Sequence, residues 1–450
     1  MKSTDIMLRV LVFLLLSVSL GSNSFGQTTN NSPYSYYGLG ESGGLDHAAL
    51  GAIGNSTITP FDSTILNFYN PSSYNTLAAG IPLVSFGVSS RLSNFTKENT
   101  TEFSSVTALQ HFALAFPAHK HLGIAFGLKP FTRKGYSFSS KEPLQADSVE
   151  YGYEGTGGAN EVFLGLSADL LHFNSIRWAV GMNAGYVFGA TKNIRTASII
   201  GESSGGYEER SIQINSFHYS LGTYLDYKIN EAHNIRIAGT FEPLQQLSTE
   251  FENTVFYANN ITGNPNFFDT LTNLRASGRF ALAPKLGFGM GYIVNFGAKS
   301  TQNRRKSQLA AHFNYSTSDW SQYIDPYDAG AQLLSTSSIN FGIQFIPETD
   351  VKNSQNAKFH EKLRYRAGVY NYSLPFEIGG EQLTDFGTTF GIGLPVTVGN
   401  AVSSVDLGLS YGTRGVQDAS VLKESYYGIN VGITISPDKA DRWFRKRKLN

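Results

Sequence analysis

The 450-residue chain contains no cysteine. That absence excludes disulfides, thiolate metal sites and a lipid anchor on cysteine, and it suits passage through an oxidising compartment without mispairing. Charge is scarce too: 16% of residues are Asp, Glu, Lys or Arg, against about 25% in soluble domains. The 35 basic and 35 acidic residues cancel, so no nucleic-acid footprint is visible and no nucleic-acid partner is expected. After Gln27 no apolar run approaches the roughly 20 residues a membrane helix needs. A membrane protein with this sequence must therefore be a closed β-barrel, because only helices and barrels satisfy their own backbone groups in lipid.

What the chain has instead is glycine, 46 residues of it, and a 13% aromatic content dominated by Phe and Tyr. Aromatic girdles and tightly packed small residues give barrels that composition. The arrangement is more telling. Phe386, Thr388, Phe390, Ile392, Leu394, Val396 and Val398 alternate with Gly387, Thr389, Gly391, Gly393, Pro395 and Thr397. Successive strand residues point to opposite faces, so the segment has one greasy wall and one of small or wet residues. The same rhythm recurs at 122–128, 162–170, 286–296, 339–345, 404–411 and 427–436, and further strands are expected near 81–94, 104–116, 176–190, 211–229, 233–242, 272–283, 308–315 and 363–374. Repeated segments of about ten such residues indicate an all-β fold, a transmembrane antiparallel β-barrel of about 14 strands. Polar stretches at 140–158, 252–270, 316–335 and 348–361 read as loops.

Lys2, Arg9 and the apolar run Val10–Leu20 precede small residues at Ser24 and Gly26. Residues 1–26 are expected to be a signal peptide cleaved before Gln27. Residues 27–80, rich in Gly, Ser, Asn and Tyr, read as a plug inside the lumen, 81–436 as the wall, and 437–450 as a basic tail or the end of the last strand. Within the plug, Leu45–Ile53 is expected to form a short helix with Asp46 near its start. A second apolar element, Thr64–Tyr69, should halt at Asn70-Pro71, since a residue before proline is pushed out of helical geometry. A lumen wider than its own side chains can fill gives such a barrel a reason to carry a plug.

Few residues point to chemistry. Phe61, Phe68 and Tyr69 either line a greasy ligand path or pack the plug against the wall; Asn70 and Pro71 complete this candidate site. Glycine rows such as Gly287, Gly289 and Gly291 would let the plug lie close to the wall. His119 and His121 stand two residues apart, as strand-borne metal ligands can. With no third ligand nearby in sequence, a wet turn is the expected reading. The remaining histidines are scattered, and no nucleophile–base set is recognisable. The chain is read as a non-enzyme with no catalytic residues, no cofactor and no metal. The basic cluster Arg442, Arg445, Lys446, Arg447 and Lys448 reads as a solvated flank of the membrane band.

Several stretches together carry a family likeness: Ser32-Pro33-Tyr34-Ser35-Tyr36-Tyr37-Gly38-Leu39-Gly40, Asn70-Pro71-Ser72-Ser73-Tyr74, Ala115-Phe116-Pro117 before Leu122-Gly123-Ile124, Leu363-Arg364-Tyr365-Arg366-Ala367-Gly368, Leu407-Gly408-Leu409-Ser410-Tyr411-Gly412-Thr413-Arg414-Gly415, and Arg442-Trp443-Phe444. The chain resembles the FadL-like outer membrane transport proteins, in the form found across Bacteroidetes. Ser72 stands where that family usually has alanine. The resemblance implies a 14-stranded barrel in the cell outer membrane, closed by an N-terminal hatch. It implies hydrophobic or amphiphilic small molecules as ligands, taken up passively and released sideways through a gap near a kinked strand. The alternative it carries is an accessory or platform barrel of a protein secretion or surface-assembly complex. Outer membrane lipid is a partner on either reading.

Overall fold

The computed structural model describes residues 30–43, 47–77, 82–98, 100–119, 121–144, 147–261, 265–297, 307–327, 333–348, 358–398, 401–416 and 421–436. The expected signal peptide, Asp46 and the basic tail with Trp443 and Phe444 lie outside them. The chain is all-β: one antiparallel sheet closed into a 14-stranded barrel, preceded by an N-terminal region.

That region holds a 3-10 turn at Pro33–Tyr36, β1 (Glu41–Ser42), helix α1 (Ala48–Gly51) and a second 3-10 turn at Pro71–Thr76. The wall follows as β2 (Leu83–Lys97), β3 (Thr100–His119), β4 (Leu122–Arg133), β5 (Tyr136–Leu144), β6 (Asp147–Phe173), β7 (Ile176–Ile199), β8 (Ser204–Lys228), β9 (His233–Glu242) and β10 (Gln245–Asn259). It continues with β11 (Asn266–Leu282), β12 (Lys285–Phe296), β13 (Ser307–Ser318), β14 (Thr336–Ile346), β15 (Arg364–Ile378), β16 (Glu381–Val398), β17 (Ala401–Gly415) and β18 (Lys423–Ile435). β18 pairs with β2, from Lys423↔Thr96 to Ile435↔Val84, and closes the ring.

Three pairs of segments each make one wall strand. β4 and β5 both lie against β6; β9 and β10 both lie against β8; β11 and β12 lie against β10 and β9. The last two interruptions face each other at Pro243 and Pro284, between the pairs Lys285↔Glu242 and Gln245↔Leu282. Proline has no N–H to give a ladder, so two opposed prolines break both strands at one height.

The loops expected at 140–158 and 252–270 are a correction. Most of these residues are strand: β5 and the first part of β6, and the second part of β10 with the start of β11. β6, β7 and β8 are 27, 24 and 25 residues long, whereas crossing a bilayer takes about 9–11. Their extensions join β5, β10 and β11 in a tall sheet beyond the membrane band, with β5 and β11 at its edges. Water wets both faces there, so no apolar face alternates and the sequence carries no strand rhythm. Long extensions mark the outer end of such barrels and short turns the periplasmic end.

At membrane height the two faces separate cleanly. Val162, Leu164 and Leu166 on β6, Phe288 and Met290 on β12, Phe386, Phe390 and Ile392 on β16, and Leu407 and Leu409 on β17 all point outward and are exposed. Between them Glu161, Asp385, Thr389 and Asp406 point inward and are buried.

Candidate functional site: the plugged lumen and its seam

The plug is held by its own turns. His47 caps α1: its Nδ1 accepts from Leu50 N at 3.4 Å. No helix forms at Thr64–Tyr69. That stretch is irregular and buries Leu66 and Phe68 against Ala113, Ala125 and Phe163 of the wall. Asn70 is buried and caps the next 3-10 turn, accepting from Ser72 Oγ at 2.6 Å and donating to Ile58 O at 2.9 Å. Pro71 opens that turn, where a missing N–H costs nothing.

The candidate residues thus separate. Phe68 and Tyr69 border a lumen cavity of about 510 Å³. Phe61 packs edge-to-face on Tyr224 at 5.1 Å and lies 4.5 Å beneath the Arg236 guanidinium. Asn70 and Pro71 are buried frame of the plug. The glycine rows meet the plug closely: a Cβ at Gly289 would stand 2.7 Å from Thr59 Cγ2, and one at Gly287 2.8 Å from Ile58 Cδ1.

The sequence reading missed the charges. Plug and wall are stapled by ionic and polar contacts. Arg364 Nη1 meets Asp62 at 3.2 Å and Thr64 Oγ1 at 2.6 Å. Arg236 donates to Thr59 O at 3.2 Å and pairs with Asp226 at 2.5 Å. Arg414 gathers Glu41 at 2.5 Å, Asp385 at 3.1 Å and Glu424 at 3.6 Å. Asn340 Nδ2 holds Gly54 O at 2.8 Å, and Asn183 Nδ2 holds Phe68 O at 3.0 Å. Arg366 pairs with Asp406 at 2.5 Å, with side chains 0% and 3% exposed. The inward alternate positions were the available signal: Asp406 sits between outward Val405 and Leu407.

Two plug residues feel this field. Burial pushes the Asp62 carboxyl up, but Arg364 and two 2.9 Å hydrogen bonds from Thr64 outweigh it and hold the group below its ordinary range. Burial, with the Arg366 charge, pushes the His47 imidazole down to about 3. His47 also stacks on His111 at 4.9 Å.

The wall has a seam. β3 and β4 pair from His119↔Leu122 up to Phe112↔Leu128 and no further. Above that, β4 turns to the plug, pairing Glu41↔Arg133 and Ser42↔Thr132, while β3 stays with β2 up to Lys97↔Thr100. A hydrogen bond from Arg133 Nη2 to Leu109 O at 2.8 Å spans the opening. The cavity reaches it, bordered by Ser104, Val106 and Ala108 on one side and Pro130 and Thr132 on the other. Elsewhere the cavity meets Lys129, Glu161, His218, Asp385, Arg414 and Glu424. Phe68, Tyr69, Phe131, Tyr323, Phe376 and Tyr426 line it as well, so the chamber is mixed, with ionised groups set among apolar walls.

A family model described as BamG matches residues 7–450. The chain belongs to the BamG family. No curated protein matches the sequence. Among solved structures, a Pseudomonas aeruginosa FadL homologue superposes with a TM-score of 0.52 at 11% identity, over 88% of this chain and 98% of that one. The Pseudomonas putida toluene transporter TodX gives 0.52 at 13% identity, over 88% and 98%. At such identities the likeness is one of fold: the BamG-family chain has the FadL-like barrel expected of it. A barrel of this fold and family resides in the outer membrane.

Proposed function

We propose that this BamG-family barrel is a non-enzymatic accessory subunit of the Bam outer-membrane assembly complex, serving as a platform for partner proteins. The observation that carries the reading is the tall sheet. Beyond the membrane band it presents Phe138, Leu144, Tyr257, Phe268, Leu271 and Leu274, all exposed. They lie along its two edges, Phe138 and Leu144 on β5 and the others on β10 and β11, and apolar groups left in water mark surfaces that partners cover. The chamber supports the same reading. Three of its acids are committed to cations, Glu161 to Lys129 and both Asp385 and Glu424 to Arg414, which suits a structural plug better than a reaction site. Membership of the BamG family supports the Bam complex as the assembly concerned. The test is purification of the tagged chain from native membranes in mild detergent. Bam subunits should co-purify in stoichiometric amount; a chain that elutes alone would refute the reading.

A second reading, passive uptake of hydrophobic or amphiphilic molecules, is favoured by the seam. An apolar solute gains about 0.8 kcal/mol per buried CH₂, and Phe68, Tyr69 and Phe131 offer it such surface, although Lys129, Glu161 and Arg414 border the same chamber. Uptake of labelled fatty acids and toluene by strains with and without the gene decides this reading. Asn31 Nδ2 donates to Ser104 Oγ at 2.7 Å beside the seam, and a difference that Asn31→Trp reproduces would support the reading.

A further inference from the structure

Four side chains meet at the end of the barrel with the short turns, away from the chamber and the seam opening. His119 ends β3, His121 lies in the turn into β4, and Asp169 and His172 stand near the end of β6. His121 Nδ1 lies 2.7 Å and His172 Nδ1 3.4 Å from the same oxygen, Asp169 Oδ2. The ligand atoms of His121, Asp169 and His172 all fall within 4.8 Å of one another. The His121 ring is 5.2 Å from that of His172 and 5.5 Å from that of His119.

We propose that His121, His172 and Asp169 bind a divalent transition-metal ion of the zinc class, the fourth position being taken by water or by His119, whose ring lies beside that of His121. Imidazole nitrogens with one carboxylate oxygen are the donors this class takes, and four-coordinate zinc is satisfied by this set. Ligands about 2.0–2.1 Å from zinc in a tetrahedron lie about 3.3 Å apart. His172 and Asp169 already stand at 3.4 Å, and His121, at 2.7 Å from the same oxygen, must retreat by about 0.6 Å to reach that edge. The carboxylate is fixed from behind: its other oxygen accepts from Arg177 Nε at 2.9 Å and Asn75 Nδ2 at 2.5 Å. Such outer contacts orient a ligand and tune its affinity. Asp169 is 3% exposed whereas His121 and His172 are 36% and 52% exposed, so the anchor is buried and the ion's path is open. Bound there, the ion ties the β3–β4 turn to β6. Through Asn75 it also ties in the last turn of the plug, whose backbone Arg177 Nη2 holds at 2.9 Å. Sequence offered only the first two histidines; the neighbouring strands supply the rest.

The test is titration of the full folded chain in detergent with Co²⁺, read by absorption, and with Zn²⁺, read by calorimetry. One equivalent with the intense visible bands of tetrahedral Co²⁺ is expected, lost in both His121→Ala and His172→Ala and kept in His233→Ala. Both tested imidazoles are partly exposed and leave the Asp169–Arg177 pair intact, and heat-modifiable migration on gels verifies their folding. No binding, the pale spectrum of an octahedral ion, or binding unchanged in both variants would overturn the site and leave a hydrogen-bonded cluster only.

Discussion

The membrane-height wall and the tall sheet above it are built from the same strands, yet they obey different rules. On β6, Val162, Leu164 and Leu166 are exposed and alternate with inward Phe163, Gly165 and Ser167. On the same strand, the residues from Asp147 to Glu154 are polar or half-buried with no such division. Lipid wets one face of the first region and water wets both faces of the second. The two-residue rhythm therefore reports the solvent on each face and not the strand itself. The same difference governs charge. Inside the wall Arg366 and Asp406 are sealed from water, whereas on the tall sheet Arg275 and Glu252 are 76% and 42% exposed.

That contrast should survive mutation. The largest effect belongs to the sealed pair: Arg366→Leu strands the Asp406 carboxylate and should cost about 3–5 kcal/mol. Arg275→Leu on the tall sheet should cost under about 1 kcal/mol. Urea titration of barrels folded into lipid vesicles measures both, and similar losses would erase the distinction. Next, Leu164→Arg on the lipid face should cost about 2–4 kcal/mol, whereas Leu271→Arg on the tall sheet should stay within about 0.5 kcal/mol.

A pH series sharpens the inner side. His47 is held neutral in the fold down to about 3, against 6.5 for the free group. Below 6.5 the unfolded chain takes up a proton that the fold refuses, so stability should fall as pH drops from 6.5 towards 3. The slope from this residue is up to about 1.4 kcal/mol per pH unit, and His47→Leu should flatten it. Asp62, depressed in the fold, acts in the same direction at lower pH: its stabilisation, present above the ordinary carboxylate range, is lost as acid protonates it. The smallest effect compares two caps. Asn70→Ala, buried in the plug, should cost about 1–2 kcal/mol, and Asp319→Ala, which removes the cap of the outer 3-10 turn Trp320–Gln322, should cost less.

The contrast also explains what the sequence disclosed. Where lipid wets one face the strands were legible, and 233–242 matches β9 to the residue. The tall sheet was unreadable for the reason given above. The short helix in the plug was legible from its Ala-rich run, although His47 caps it. Thr64–Tyr69 has apolar residues without helical spacing, and its order comes from packing on Phe163 and Ala113. Asp406 was visible as a wet-face residue, but its partner lies 40 positions away on β15. The seam is a fact of pairing: β3 keeps alternating above the height at which the ladder stops, and on β4 the rhythm ends at Leu128, before Lys129-Pro130. The Asp169 cluster is likewise made by adjacency across strands, and only its two closest histidines could be seen beforehand.

The platform role is tested most directly by photo-crosslinking in living cells from two positions, 271 on the tall sheet and 390 on the lipid face. Leu271 and Phe390 are 59% and 61% exposed, so accessibility is matched and only the surroundings differ. A crosslinker at 271 should yield an adduct with a Bam subunit while one at 390 yields none. Adducts absent at 271, or equal at both positions, would contradict the account.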